Sequence, residues 1–256
     1  MAAGPLLELR GVAKRFGAVQ ALSGVDFEVG AGEVVGLVGD NGAGKSTLVK
    51  IISGVHPADA GEYRFEGRPV EVASPRAAAE LGVQAVYQDL ALCENLDVVA
   101  NLFLGREPAQ VLPGPLALLD ELSMERRAHL LVGELHVRIP SLRAAVAALS
   151  GGQRQSVAVA RAVLWDSRVV LLDEPTAALG VEQTQQVKEL IRSLRQRGLG
   201  VVVISHNLAD VFEVTDRIVV LRQGRQVAAF ATAEATPQAV VAAITGARPE
   251  EGLAGA

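Results

Sequence analysis

The stretch EVVGLVGDNGAGKSTLVKIISG, Glu33 to Gly54, sets the tightest limit on what this chain can become. Its first part, Glu33–Gly39, is an apolar run of the kind that forms a strand buried on both faces. Its last part, STLVKIISG, has helical spacing and is closed by Gly54. Only a glycine-rich loop separates the two, so strand, tight loop and helix must follow one another without slack. The loop Gly39-Asp40-Asn41-Gly42-Ala43-Gly44-Lys45-Ser46 fits G-x-x-x-x-G-K-[ST], the P-loop. Its glycines allow backbone N–H groups to wrap a phosphate chain. Lys45 brings positive charge to the β- and γ-phosphates, and Ser46 offers a hydroxyl to Mg²⁺.

A second run has similar chemistry. LSGGQRQ, Leu149–Gln155, places a serine and two glycines at the opening of a helical segment. Free N–H groups and the positive end of the helix dipole point outward there together. One chain thus carries two phosphate grips.

The rest of the chain has a readable order. Residues 6–29 read as short strand runs split at Gly11, Gly17 and Gly24, and GEYRFEGRPVEV reads as a hairpin. SPRAAAELG is a short helix with Ser74 as N-cap and Pro75 first, and VQAVYQ is a further strand. From Asp89 to Leu149 strand runs vanish and helical patterning dominates, interrupted by the prolines of GREPAQVLPGPLALL. Strands and helices then alternate through RVVLLDEP, VEQTQQVKELIRSLRQRG, LGVVVISH, NLADVFEVTD and RIVVLRQG. TPQAVVAAITGA forms a last helix, and RPEEGLAGA is expected to fray. The pattern predicts an α/β chain with a mainly parallel sheet, an N-terminal antiparallel β subdomain and an inserted α-helical subdomain. The core spans about 6–88 and 150–246 and the helical subdomain about 89–149, within one domain of 1–256.

Three more positions stand where strands of an open α/β sheet meet their ligand. RVVLLDEP ends in Asp173 and Glu174, two acidic groups that are costly there unless a cation or positive groups meet them. In a P-loop protein Asp173 holds Mg²⁺ and Glu174 polarises the attacking water. VVVISHN ends in His206, in reach of a γ-phosphate, and VQAVYQ ends in Gln88, in reach of Mg²⁺ and water. His56, His129 and His136 read as structural or surface residues. Phe16 fits either core packing or stacking on adenine, and the residues alone favour core. Trp165 packs at the end of its helix.

Composition excludes some classes. The formal net charge is −5 and the arginines are scattered, with no basic face for a nucleic acid. The single cysteine, Cys93, rules out an intrachain disulfide and reads as a small apolar filler. The N-terminal residues lack a secretory pattern, and no apolar run approaches the ~18 residues of a membrane span. The chain is expected to be soluble alone, with any membrane role through a partner.

Taken in order, Phe16, residues 39–47, Gln88, LSGGQRQ, VVLLDE and His206 resemble the ATP-binding cassette (ABC) ATPases over about residues 6–246. The LSGGQ signature is the most specific of these motifs. The resemblance implies that Phe16 stacks on adenine, and that Asn41, Gly42, Ala43, Gly44, Lys45, Ser46 and Thr47 hold the nucleotide. Ser46, Gln88 and Asp173 attend Mg²⁺, while Glu174, His206, Gln88 and Lys45 carry the hydrolysis of ATP. It also accounts for two grips in one chain. Cassettes of this family pair head to tail, so Ser150, Gly151, Gly152 and Gln153 reach the ATP held by the partner's P-loop. A second copy is therefore the expected partner, a homodimer in the two-fold form. The stretch after Gln88 is expected to receive a transmembrane permease, with an extracytoplasmic sugar-binding protein acting indirectly. That places the chain at the cytoplasmic face of the membrane.

GDNGAGKSTL, IPSLRAAVAALSGGQRQ, DEPTAALGV and ISHNLADVFEVTDRIVVLRQGR resemble importers of the ribose, xylose and fructose type. Another substrate class, an exporter, a non-hydrolysing cassette and a soluble cassette acting on DNA or ribosomes are the alternatives. The short insert, without sustained heptads, and the lack of a charged linker speak against the last. Intact Glu174 and His206 speak against a non-hydrolysing cassette. One departure from the family is Gly180, where an aspartate usually helps to couple the two sites.

Overall fold

The computed structural model describes residues 4–111 and 117–247. Strands β1 (Leu7–Phe16) and β2 (Val19–Val29) form an antiparallel hairpin turned at Gly17. Gly11 and Gly24 do not split these strands, as the sequence reading expects. Both have positive φ, and the register between the strands shifts beside them. They mark bulges inside long strands, where a glycine takes the extra residue without a Cβ penalty. Strands β3 (Val34–Val38), β4 (Ala60–Phe65) and β5 (Arg68–Pro69) follow, with helix α1 (Lys45–Ile52) between β3 and β4. β2, β1, β4 and β5 make one antiparallel sheet.

Helix α2 (Pro75–Glu80) starts as expected, with the Ser74 hydroxyl accepting from the Ala77 N–H at 3.2 Å. Strand β6 (Val83–Val86) follows, then α3 (Val98–Phe103) of the inserted region. Here the sequence reading needs correction. β7 (Ala109–Val111) and β8 (Ala117–Leu119) form an antiparallel pair inside the region read as free of strands and dominated by helix. Each strand has three residues, too few for period-two alternation to register. Helices α4 (Glu121–Glu134) and α5 (Gly151–Val163) complete the insert and lead back to the core. Buried Asn101 fixes the insert's entry, bonding the N–H and carbonyl of Cys93 and the carbonyls of Leu96 and Asp97.

Strands β9 (Val169–Asp173), β10 (Gly200–Ile204) and β11 (Arg217–Arg222) alternate with α6 (Val181–Gln196) and α7 (Leu208–Val214). β12 (Arg225–Ala231) and α8 (Pro237–Thr245) close the described chain. β12 is a third strand the sequence reading lacks, because its alanines are weak strand formers. The expected frayed tail falls on residues outside those described.

The central sheet runs β12-β11-β3-β10-β9-β6, parallel except for β12. Its middle strands are buried on both faces. Val34, Val170, Leu172, Val201 and Val203 face the core shared with α5, α6 and the helical insert. Val35, Leu37, Val169, Leu171, Val202 and Ile204 face the core shared with α1 and the antiparallel sheet. Trp165 packs just beyond α5, edge-on to Phe103 at 5.8 Å between ring centres.

Gly54 shows how tightly α1 is seated. Its φ is +73°, and a Cβ there would lie 2.3 Å from the carbonyl oxygen of Ser74, the α2 cap. Gly54→Ala is predicted to cost about 2–3 kcal/mol. A thermal melt should show the midpoint lowered by roughly 5–10 °C at this chain length.

Candidate functional site

The register of the central sheet decides where the chemistry sits. Leu37 of β3 pairs with Ile204 of β10, and Ile204 pairs with Asp173 of β9. These strands end level with one another. The P-loop leaves β3, Ser205 and His206 leave β10, and Asp173 and Glu174 close β9. Gln88, exposed, stands two residues beyond β6, the neighbour of β9.

The P-loop is held by backbone on two sides. The Gly224 N–H donates to the Ala43 carbonyl at 3.0 Å. Gly44, at φ +104°, leaves no space for a side chain, since a Cβ would lie 2.7 Å from Leu22 Cδ2 and 2.9 Å from the Ala21 carbonyl oxygen. The start of α1 has no side-chain cap, so its first N–H groups stay available to an anion. Val19, Gln20 and Ala21 join residues 41–47 around a hollow of about 230 Å³. The Lys45 ammonium folds onto its own loop, donating to the carbonyls of Gly39 at 2.7 Å and Asp40 at 3.0 Å. Burial pulls its pKa below that of an ordinary lysine, against the charges of Glu174, Asp40 and Asp173.

The acidic pair is poised by its surroundings. Burial, together with the charge of Glu174, raises the pKa of Asp173, and Lys45 and Lys50 only partly oppose this. Among the described residues Asp173 has no salt bridge. Glu174 sits in the left-handed region at φ +50°, an uncommon conformation for a non-glycine residue. Its N–H donates to the Ile204 carbonyl at 2.8 Å. Its Oε1 lies 2.8 Å from His206 Nδ1, and the Ser205 hydroxyl approaches Oε2 at 3.4 Å. Toward the Glu174 carboxylate Nδ1 serves as the donor, on a ring that is largely exposed.

The structure thus brings Lys45, Asp173, Glu174 and His206 together. It does not join Ser150–Gln153 to them by any hydrogen bond among the described residues. That segment starts α5 with a capping box: Ser150 Oγ accepts from the Gln153 N–H at 3.3 Å, and Gln153 Oε1 accepts from the Ser150 N–H at 2.9 Å. The Gln153 amide also donates to the Arg138 carbonyl. Gly151 and Gly152 are small because the start of α6 lies against them: a Cβ at either would be 2.9 Å from Leu179 or Gln183.

Phe16 departs from the core packing that its residue type favours. It is 43% exposed at the tip of the β1–β2 hairpin, edge-on to His56 at 5.2 Å, with Lys14 Nζ 5.5 Å from its ring centre. His129 and His136 lie on the surface, as expected, and His56 is half-buried. Sequence reasoning missed Thr176, Asn207 and Asp210. Asn207 caps α7, and N-x-x-D just after His206 was the available signal.

A parallel sheet with a P-loop on one strand and an acidic pair two strands away defines a P-loop nucleoside-triphosphatase fold. The chain belongs to the ABC transporter family, whose family model matches residues 22–177. It is 46% identical to the fructose import ATP-binding protein FrcA of Rhizobium meliloti, over 99% of this chain and 100% of that one. It is 50% identical to the xylose/arabinose import ATP-binding protein XylG of Sulfolobus acidocaldarius, over 86% of each. Against the ribose import ATP-binding protein RbsA 1 of Rubrobacter xylanophilus the identity is 46% over 87% of this chain, which spans only 44% of that longer protein. Among solved structures, a nucleotide-free ATP-binding cassette from an ABC transporter superposes with a TM-score of 0.75 at 25% identity, over 88% of this chain and 91% of that one. An ATP-binding cassette in its ADP conformation gives 0.80 at 24% identity, over 94% and 95%.

The raised pKa of Asp173 carries a stability consequence. A carboxyl whose pKa rises on folding costs stability once it is ionised. The cost disappears as pH falls below the unfolded value of about 3.9. Asp173→Asn is therefore predicted to raise the melting temperature of the nucleotide-free protein at pH 7. The gain should vanish near pH 3 in a pH series of thermal melts.

Proposed function

We propose that this chain is the ATP-hydrolysing subunit of a carbohydrate importer. The observation that carries the hydrolytic reading is the Glu174–His206 pair at 2.8 Å, set beside Lys45 at the level ends of β9, β10 and β3. The carbohydrate reading is supported by the similarity to the fructose and xylose/arabinose import proteins.

In this reading the P-loop amides and Lys45 receive the β- and γ-phosphates, and Phe16 offers its exposed ring to the base. Glu174 accepts a proton from the attacking water, and His206, tied to Glu174 through Nδ1, donates Nε2–H to an oxygen of the transferred phosphoryl group when both ring nitrogens are protonated. A divalent cation suits Asp173, a half-buried carboxylate without a salt-bridge partner among the described residues and next to a second negative charge. No group of three or more His, Cys, Asp or Glu fit to hold a metal occurs among the described residues. Mg²⁺ takes one or two protein ligands and completes its shell with phosphate and water. Ser46 and Gln88 are the other residues assigned to it. When bound, the ion neutralises charge on the phosphates.

Ser150–Gln153 serve the nucleotide of a second copy, and Gly180 leaves the contact between the two sites without its usual carboxylate. No helix among the described residues is long and apolar enough to cross a membrane. The proposed place at the cytoplasmic face is reached through a permease. The groove lined by Tyr87, Leu90, Leu104 and Trp165 is the proposed seat for that partner. A sugar-binding protein outside the membrane would deliver the cargo.

Lys45→Ala should abolish high-affinity ATP binding in a titration, while wild-type affinity would remove the P-loop from the account. Glu174→Gln should retain ATP but hydrolyse it about 10²–10⁴-fold more slowly, the range for losing a general base. Unchanged turnover would remove Glu174 from that role.

A further inference from the structure

Asp210 belongs to none of the motifs above, yet it is the hub of a largely buried polar cluster. Its side chain is 11% exposed. One oxygen takes the Lys188 ammonium of α6 at 2.7 Å. The other accepts from the Thr176 hydroxyl at 2.8 Å and from the Asn207 amide at 2.9 Å. Thr176 lies two residues after Glu174, and Asn207 directly follows His206. The Asn207 N–H donates to the Ser205 hydroxyl at 3.1 Å, and that hydroxyl approaches Glu174 Oε2. The contacts close a ring that runs from Glu174 through Ser205, Asn207, Asp210 and Thr176 back along the chain to Glu174.

The ring answers a mechanical need. Glu174 and Ala178 both have left-handed backbone, at φ +50° and +59°. Such a loop keeps its shape only where the surroundings fix it. Hydrogen bonds to a carboxylate are among the stronger means of doing so. Lys188 meets the Asp210 carboxylate in this buried place. Burial alone would lower the Lys188 pKa, but its bonds to Asp210 and Glu213 outweigh that and leave it above the ordinary lysine value. Glu213 is tied in turn to Arg192, so the cluster is anchored on α6 through two side chains.

We propose that Asp210 is a positioning residue for hydrolysis, clamping the loop that carries Glu174 to the loop that carries His206. It acts through Thr176 and Asn207 and does not itself touch the nucleotide. The proposal rests on the reading of Glu174 as the base.

Thr176 gives the cleanest test, because it is only half-buried and its changes are small. The full chain would be compared as wild type, Thr176→Val and Thr176→Ser, in single-turnover hydrolysis of trace ATP, with KM for ATP and melting temperature measured alongside. Imidazole NMR, with His206→Ala to assign the signal, reads the clamp without turnover. Removing the hydroxyl should slow hydrolysis about ten- to a hundredfold, the scale for a misplaced catalytic group. KM should move less than about twofold, as expected when only an interaction of the transition state is lost. The His206 signal should shift, and Thr176→Ser should restore both rate and signal. A Thr176→Val protein with wild-type rate and unmoved His206 signal would overturn the clamp. So would a Thr176→Ser protein as slow as Thr176→Val, or a loss that merely follows the folded fraction. A wild-type chain that hydrolyses no ATP would instead overturn the ATPase reading, and the His206 signal would still decide the clamp.

Discussion

The parallel register of three strands is the constraint on which the site depends. Leu37, Ile204 and Asp173 lie side by side, so the loops after β3, β10 and β9 begin at one level and open on one side of the sheet. No single loop positions Lys45 against Glu174 and His206. The buried aliphatic faces of the sheet do so, since a one-residue slip would turn each inward valine to the wrong core. The hydrophobic layers on either side of the sheet therefore set the geometry of a polar site at its end.

That site holds unfavourable charge in reserve. Lys45 is desolvated and turned onto its own loop, while Asp173 lies half-buried beside a second carboxylate. In the proposed reading each of these groups would gain when a phosphate chain and a cation arrive, so binding would relieve a cost already present in the fold. The left-handed backbone of Glu174 is of the same kind: strain held by its surroundings at the proposed point of chemistry. Asp210 and Lys188, one layer away, supply the holding contacts from α6 and α7.

Much of this was legible in the residues. The buried strand, glycine loop and helix of residues 33–54 announce themselves because each has a local cause. The positions of Asp173, Glu174 and His206 follow from where apolar runs stop. Phe16 was harder, since an aromatic residue in a strand favours burial unless it lies at a hairpin tip, and tips depend on pairing. Gly11 and Gly24 read as breaks because a bulge and a turn use the same residue. β7 and β8 are too short to pattern, and the Asp210 hub joins residues 34 apart, a contact only tertiary folding creates. Ser150 and Gln153 are local again, since S-x-x-Q is a capping box as well as a phosphate grip.

If LSGGQ serves the nucleotide of another copy, the solution mass of Glu174→Gln must change with Mg-ATP. It should be the monomer mass of 26.7 kDa without nucleotide and twice that mass when ATP is bound. A protein that binds ATP at saturation and keeps the monomer mass would contradict that role.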